Sequence, residues 1–156
     1  MIEVTASGHV PSTPDRVWEL ICDTSRLAEW VAATEAVTRA DGPAGPGVTY
    51  DEVNPIFGPW KARSRWRVTE FDPPRRQVHH GEGLPLTRDF AVIMEVAPDG
   101  LGSRVTLTLQ GTPGAGPLGA LFARVMRPQV DRDNRRSLAN LTELARREGG
   151  APPAAG

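Results

Sequence analysis

The chain is short of the features that assign function quickly. It has one cysteine, Cys22, and one lysine, Lys61, and its Lys+Arg 18 against Asp+Glu 19 leave a formal net charge of -1. A lone cysteine rules out an intramolecular disulfide and a cysteine metal cluster, and suits a reducing, cytoplasmic compartment. Balanced charge excludes the long-range positive field that nucleic acid or an anionic membrane requires, so neither is expected as a partner. No apolar run approaches ~18 residues, so no membrane span is expected. Met1-Ile2-Glu3-Val4-Thr5 has neither the basic region nor the apolar core of a signal peptide. The bias to arginine reflects genome composition rather than chemistry.

Catalytic signatures are missing too. There is no phosphate-cradling glycine loop, no Ser-His-Asp arrangement in diagnostic context and no nucleotide motif; Gly42, Gly45 and Gly47 carry turn chemistry instead. No cofactor is implied. A metal site would need His9 or Asp89 beside His79-His80, which lack same-face spacing, so no metal is expected. Cys22 has only Arg26 nearby to lower its pKa and sits at helical spacing, which points to packing.

What is present is a regular alternation of strands around a few helices. The 156 residues suit one domain, and a chain of this size buries roughly 68–70% of its unfolded surface. Ile2, Val4, Ala6 and Val10 fall at period two, as in a strand with one buried face. Pro11 ends it, Ser12 or Thr13 caps a helix that tolerates Pro14 in its first turn, and Asp23-Thr24-Ser25 caps a second short helix ending near Trp30. Strands at 35–39 and 48–53 flank the turn Asp41-Gly42-Pro43-Ala44-Gly45-Pro46-Gly47. Trp60, Ala62, Ser64, Trp66 and Val68 then alternate with Lys61, Arg63, Arg65, Arg67 and Thr69 until Asp72-Pro73-Pro74.

Further strands are expected at 77–82, 87–96 and 104–110, with Phe90, Val92, Met94 and Val96 on one face of the second. A long final helix over 117–147 carries Leu118, Phe122, Val125, Val130, Leu138, Leu141 and Leu144 as one stripe, and Pro128 should kink or divide it. The domain spans 1–148, and 149–156, rich in Gly, Pro and Ala, should be disordered.

Val10 through Trp18, Asp23 through Trp30, Gly45-Pro46-Gly47, Trp66-Arg67-Val68-Thr69-Glu70-Phe71-Asp72-Pro73-Pro74 and Gly102-Ser103-Arg104-Val105-Thr106 together resemble the START/polyketide-cyclase/Bet v 1-like (SRPBCC) superfamily, specifically its small bacterial polyketide cyclase/dehydrase-like members. The resemblance covers residues 2–147. It implies an α+β helix-grip fold: a curved seven-stranded antiparallel sheet, two short helices, and a long carboxy-terminal helix closing a hydrophobic pocket. Members bind lipids, sterols, polyketides or hormones, some cyclise or dehydrate polyketides, and others serve as co-chaperones or toxin components. The expected partner is therefore a hydrophobic small molecule, with a homodimer left open.

A curved sheet around one helix cannot close its concave face completely, so some of its side chains line a cavity. The expected ligand contacts are Trp60, Ser64, Trp66, Phe90, Val92, Met94, Phe122, Asn134 and Leu138. The two indoles would stack on a flat ligand, and Ser64 and Asn134 would supply hydrogen bonds. His80 and Glu82 share a strand face, and if that face is concave they would act as general base and acid on an enolisable ketone. The plainer alternative for this pair is a solvated edge strand. Three functions follow: carriage of a lipid-like or polyketide-derived molecule, cyclase or dehydratase chemistry in the same pocket, and protein interaction through the Arg-rich outer faces.

Overall fold

The structure, a computed structural model, describes residues 1–148; the expectation for 149–156 lies outside the described residues. In chain order the elements are β1 (Ile2–Val10), α1 (Pro14–Cys22), a short 3-10 helix (Thr24–Glu29), β2 (Ala36–Ala40), β3 (Thr49–Phe57), β4 (Trp60–Asp72), β5 (Arg76–Glu82), β6 (Thr87–Asp99), β7 (Gly102–Pro113) and α2 (Gly116–Glu148). The seven strands form one antiparallel sheet in the order β1-β7-β6-β5-β4-β3-β2. This is the α+β helix-grip architecture.

Local chemistry sets the element ends. Thr13 Oγ1 accepts the backbone N–H of Arg16 at 3.3 Å, and Pro14 opens α1, where a missing N–H costs nothing. Val17, Trp18, Leu20 and Ile21 then bury the face that α1 turns to the sheet. Gly100, at φ 61, makes the reversal between β6 and β7, a conformation that L side chains avoid. On β4 the alternation holds from Ala62 to Val68, with Ala62, Ser64, Trp66 and Val68 buried and the basic residues outside. Trp60, at the strand's start, breaks it: it is 47% exposed and rests against Phe57, ring centroids 6.1 Å apart.

The two halves of α2 behave differently. Its C-terminal half is seated on the concave face by Leu138, Leu141, Leu144 and Ala145, all buried. Leu138 stands over Gly8 of β1, where an added Cβ would already touch Leu138 Cδ1 at 3.6 Å. Hydrogen bonds fix the register on both flanks. Asn134 Nδ2 donates to Val4 O at 3.2 Å and Thr142 Oγ1 to His9 O at 3.4 Å, while Asn140 Nδ2 donates to Trp30 O and Ser137 Oγ accepts from Ala32 N.

The N-terminal half departs from the expected stripe. Leu118 and Val125 are 60% and 59% exposed, whereas Phe122 and Val130 of that stripe do face inward, joined by Met126. In the first turn the inward position belongs to Gly119, pressed on the backbone of Gly114 so closely that no Cβ would fit. That contact turns Leu118 outward. Pro128 neither ends nor divides the helix, which runs through it with the proline on an exposed side.

One close approach holds the centre of the sheet. Trp66 pairs with Gly81 across β4 and β5, and a Cβ at Gly81 would lie 2.8 Å from the indole ring. Gly81→Ala is expected to displace Trp66 and to cost about 1–3 kcal/mol, the usual penalty for overpacking a well-filled site. Denaturant titration measures this; an unchanged midpoint would show that the ring moves aside freely.

Candidate functional site

Because only half of α2 is seated, the sheet and the other half of the helix flank a partly open cavity of about 210 Å³. This lies below the roughly 300–1,000 Å³ usual for drug-sized ligands. Its floor is Trp66 of β4 with Phe90, Val92 and Met94 of β6, and its roof is Phe122, Met126 and Val130 of α2. The floor is aromatic and ordered: Trp66 stacks with Tyr50 at 6.4 Å between centroids and meets the Phe90 ring edge-on at 5.5 Å.

Six expected contacts therefore meet at the cavity: Trp66, Phe90, Val92, Met94, Phe122 and Asn134. Asn134 is also engaged in the fold through Val4 O. Three others stand apart. Trp60 is on the outside, Leu138 is buried where α2 is seated, and Ser64 lies behind the wall, donating to Asn54 Oδ1 at 2.5 Å and accepting from Trp66 Nε1 at 2.8 Å.

His80 and Glu82 do not reach the cavity. Both are exposed on the convex face, where His80 Nδ1 is 2.7 Å from Thr69 Oγ1. The inward positions of β5 are Gln77, His79 and Gly81, a parity fixed by the need to place Gly81 under Trp66. Val78, which shares the parity of His80 and Glu82, packs outside with Ala91 and Ile93.

The polar residues that sequence reasoning missed lie chiefly on β3. Tyr50, Glu52 and Asn54 all point inward and line the cavity, while Asp51 and Val53 take the other face. Behind Tyr50 runs a buried chain. The Gln77 amide places its Nε2 3.5 Å from Cys22 Sγ, which leaves Oε1 to accept from His79 Nε2 at 2.7 Å. His79 Nδ1 is then an acceptor, and the Tyr50 hydroxyl donates to it at 2.5 Å. Burial lowers His79 to about 4, so it is neutral, and burial with the Glu52 charge nearby pushes the Tyr50 phenol well above its ordinary value. Tyr50, the sole tyrosine, is therefore a neutral residue whose hydrogen is committed to the protein.

Glu52 is 5% exposed and has no cation within salt-bridge distance among the described residues. Asn54 Nδ2 donates to its Oε2 at 3.1 Å. Burial outweighs the help of Asn54, Thr34 and Trp66 and lifts its carboxyl from 4.5 to about 6. Asp133 of α2, half-buried at the same cavity, is raised by desolvation as well. Trp30, which lines the cavity beside the 3-10 helix, carries a buried indole N–H with no partner among the described residues. No group of three His, Cys, Asp or Glu residues that could hold a metal ion, and no helix long and apolar enough to cross a membrane, is found among the described residues.

An apolar cavity between a gripped helix and a curved sheet, with one polar wall, defines a helix-grip pocket protein. The family model for polyketide cyclase / dehydrase and lipid transport matches residues 1–146, and the chain belongs to that family. An uncharacterised protein of Mycobacterium tuberculosis is 33% identical over 148 residues, covering 92% of this chain and 99% of the relative. Among solved structures, the Zhui aromatase/cyclase from Streptomyces sp. R1128 superposes with a TM-score of 0.81 at 17% identity, covering 96% of both chains. TTHA0849 from Thermus thermophilus superposes with a TM-score of 0.76 at 24% identity, covering 91% of this chain and 95% of that one. These likenesses establish the shared fold.

The buried carboxyl carries a stability cost. A rise from 4.5 to about 6 means that the folded chain holds this proton more tightly than the unfolded one, so stability falls as pH climbs through that window and stays lower above it. At about 1.4 kcal/mol per pH unit the cost is about 2 kcal/mol. Glu52→Gln is expected to stabilise the protein by up to about that amount at pH 8 and to change little at pH 4. Urea titrations at the two pH values test it; equal stability of variant and wild type at pH 8 would contradict an unpaired buried charge.

Proposed function

We propose that this protein binds a hydrophobic small molecule, lipid-like or polyketide-derived, in the cavity beneath the N-terminal half of α2. The observation that carries this reading is the cavity itself: an aromatic and aliphatic floor and roof, left open because that half of the helix makes no close-packed core. Burying apolar surface there contributes about 25 cal/mol per Å², and Trp66 and Phe90 offer flat faces to an aromatic or polycyclic guest. Membership of a family described by both polyketide cyclisation and lipid transport supports the same coarse role.

Native mass spectrometry of freshly purified protein, followed by extraction and identification of bound small molecules, tests the proposal. Ala123 lines the cavity from α2, and Ala123→Trp should fill the space and abolish binding while leaving the far-ultraviolet spectrum unchanged. Full retention of ligand by this variant would place binding elsewhere.

A cyclase or dehydratase reading is favoured by one feature, the carboxyl of Glu52 poised near 6 beside the apolar floor. A base of that strength inside a cavity is suited to removing a proton next to a ketone at neutral pH. In this reading the acid-base role falls to Glu52, with Tyr50 beside it, and no longer to His80 and Glu82. Turnover of a poly-ketone substrate by the wild type, lost in Glu52→Gln with ligand binding retained, distinguishes enzyme from carrier.

A further inference from the structure

The β3 wall has spent its hydrogens. Both amide hydrogens of Asn54 are donated within the protein, one to Glu52 Oε2 and one to Ala33 O at 3.0 Å. The Ser64 hydroxyl hydrogen goes to Asn54 Oδ1 and the Trp66 indole hydrogen to Ser64 Oγ. The Tyr50 hydrogen goes to His79, whose own goes to Gln77. What remains facing the cavity on this strand are lone pairs: those of the Tyr50 oxygen and of the Glu52 carboxylate. From α2 the half-buried Asp133 adds another acceptor, its Oδ1 already receiving Gln129 Nε2 at 2.9 Å. Arg127, the one cation among the lining residues, is exposed.

From this arrangement we infer that the β3 wall selects the ligand by the hydrogen the ligand donates, taking a neutral apolar molecule with a phenolic or enolic hydroxyl directed at Glu52 and rejecting carboxylates there, while the Trp30 indole N–H, unpartnered among the described residues, is left for a neutral acceptor on the same molecule. The inference rests on the ligand-binding reading above. Its physical basis is the asymmetry of a buried acceptor. A hydroxyl hydrogen meeting a desolvated carboxylate forms a charge-assisted bond of the stronger kind, whereas an ether oxygen leaves the carboxylate stripped of water with nothing in return. A carboxylate ligand brings a second negative charge beside Glu52 in a low-dielectric site, with no buried cation among the described lining residues to offset it. Free fatty acids are thereby disfavoured, and hydroxylated aromatic or enolised polycarbonyl compounds are favoured.

Three probes share one ring system and differ only in this respect: 2-naphthol donates a hydrogen, 2-methoxynaphthalene does not, and 2-naphthoate is an anion. Isothermal titration of each into the full-length protein at pH 8, where Glu52 is ionised, is expected to give naphthol about tenfold or more tighter binding than the ether, with naphthoate the weakest. Glu52→Gln replaces the charge with an amide that both accepts and donates, so it should narrow the preference for naphthol and raise naphthoate at least to the level of the ether. Equal affinity for all three on the wild type, or an unchanged order in the variant, overturns selection by Glu52 and leaves the pocket reading standing. Failure of all three to bind the wild type overturns both. The wild-type series is decisive even without the variant.

Discussion

The cavity depends on where α2 is held. Leu138, Leu141 and Leu144 seat its C-terminal half on the sheet, Leu138 directly over Gly8, and hydrogen bonds to Val4 O, His9 O and Trp30 O lock its register. Four turns earlier the same helix has no such anchor. Its inward side chains, Phe122 and Met126, look across a space to Phe90 and Trp66 and do not fill it. A fully seated helix would have given a solid core; a half-seated one gives a container.

The sheet contributes the second constraint. Trp66 needs room for its ring, and Gly81 supplies it, which fixes the parity of β5 and sends Gln77 and His79 inward. Those two residues then require partners, since a buried imidazole left unpaired costs about 1–3 kcal/mol. Tyr50 and Cys22 meet that need, so the phenol at the cavity wall is oriented from behind. Packing of one indole thus determines, through strand parity, the hydrogen-bond polarity of the site.

Glu52 stands out because no cation among the described residues pairs with it. Asp51, one residue away on the outer face, is paired instead: it lies between Arg39 and Arg65 and is held well below the ordinary carboxylate range. Adjacent residues on one strand therefore sit in opposite electrostatic environments. The outer carboxylate contributes to surface ion pairing, and the inner one is a desolvated group that the protein maintains at a cost in stability, a pattern that marks functional positions.

Much of the fold was legible in the sequence by itself. Period-two alternation, capped short helices, glycine and proline turns and a long amphipathic helix are local properties, and the strands and helices followed from them, while the helix-grip class was what the family resemblance implied. Six of the nine expected ligand contacts also line the cavity, and four of them, Trp66, Phe90, Val92 and Met94, were legible because apolar residues on a clearly alternating strand reveal which face is buried. The polar wall was not legible. On β5, Gln77-Val78-His79-His80-Gly81-Glu82 has only Val78 as an apolar guide, and Val78 packs on the outer face with Ala91 and Ile93. The concave placement of His80 and Glu82 was only conditional on which face lay inside, and the structure leaves both exposed on the other face. On β3, Val53 points outward while Glu52 and Asn54 point in. A strand's alternation is a local fact, but which of its two faces is inside depends on what lies across the sheet, and here that was decided by Trp66, Gly81 and the half-seated helix, contacts far apart in the chain.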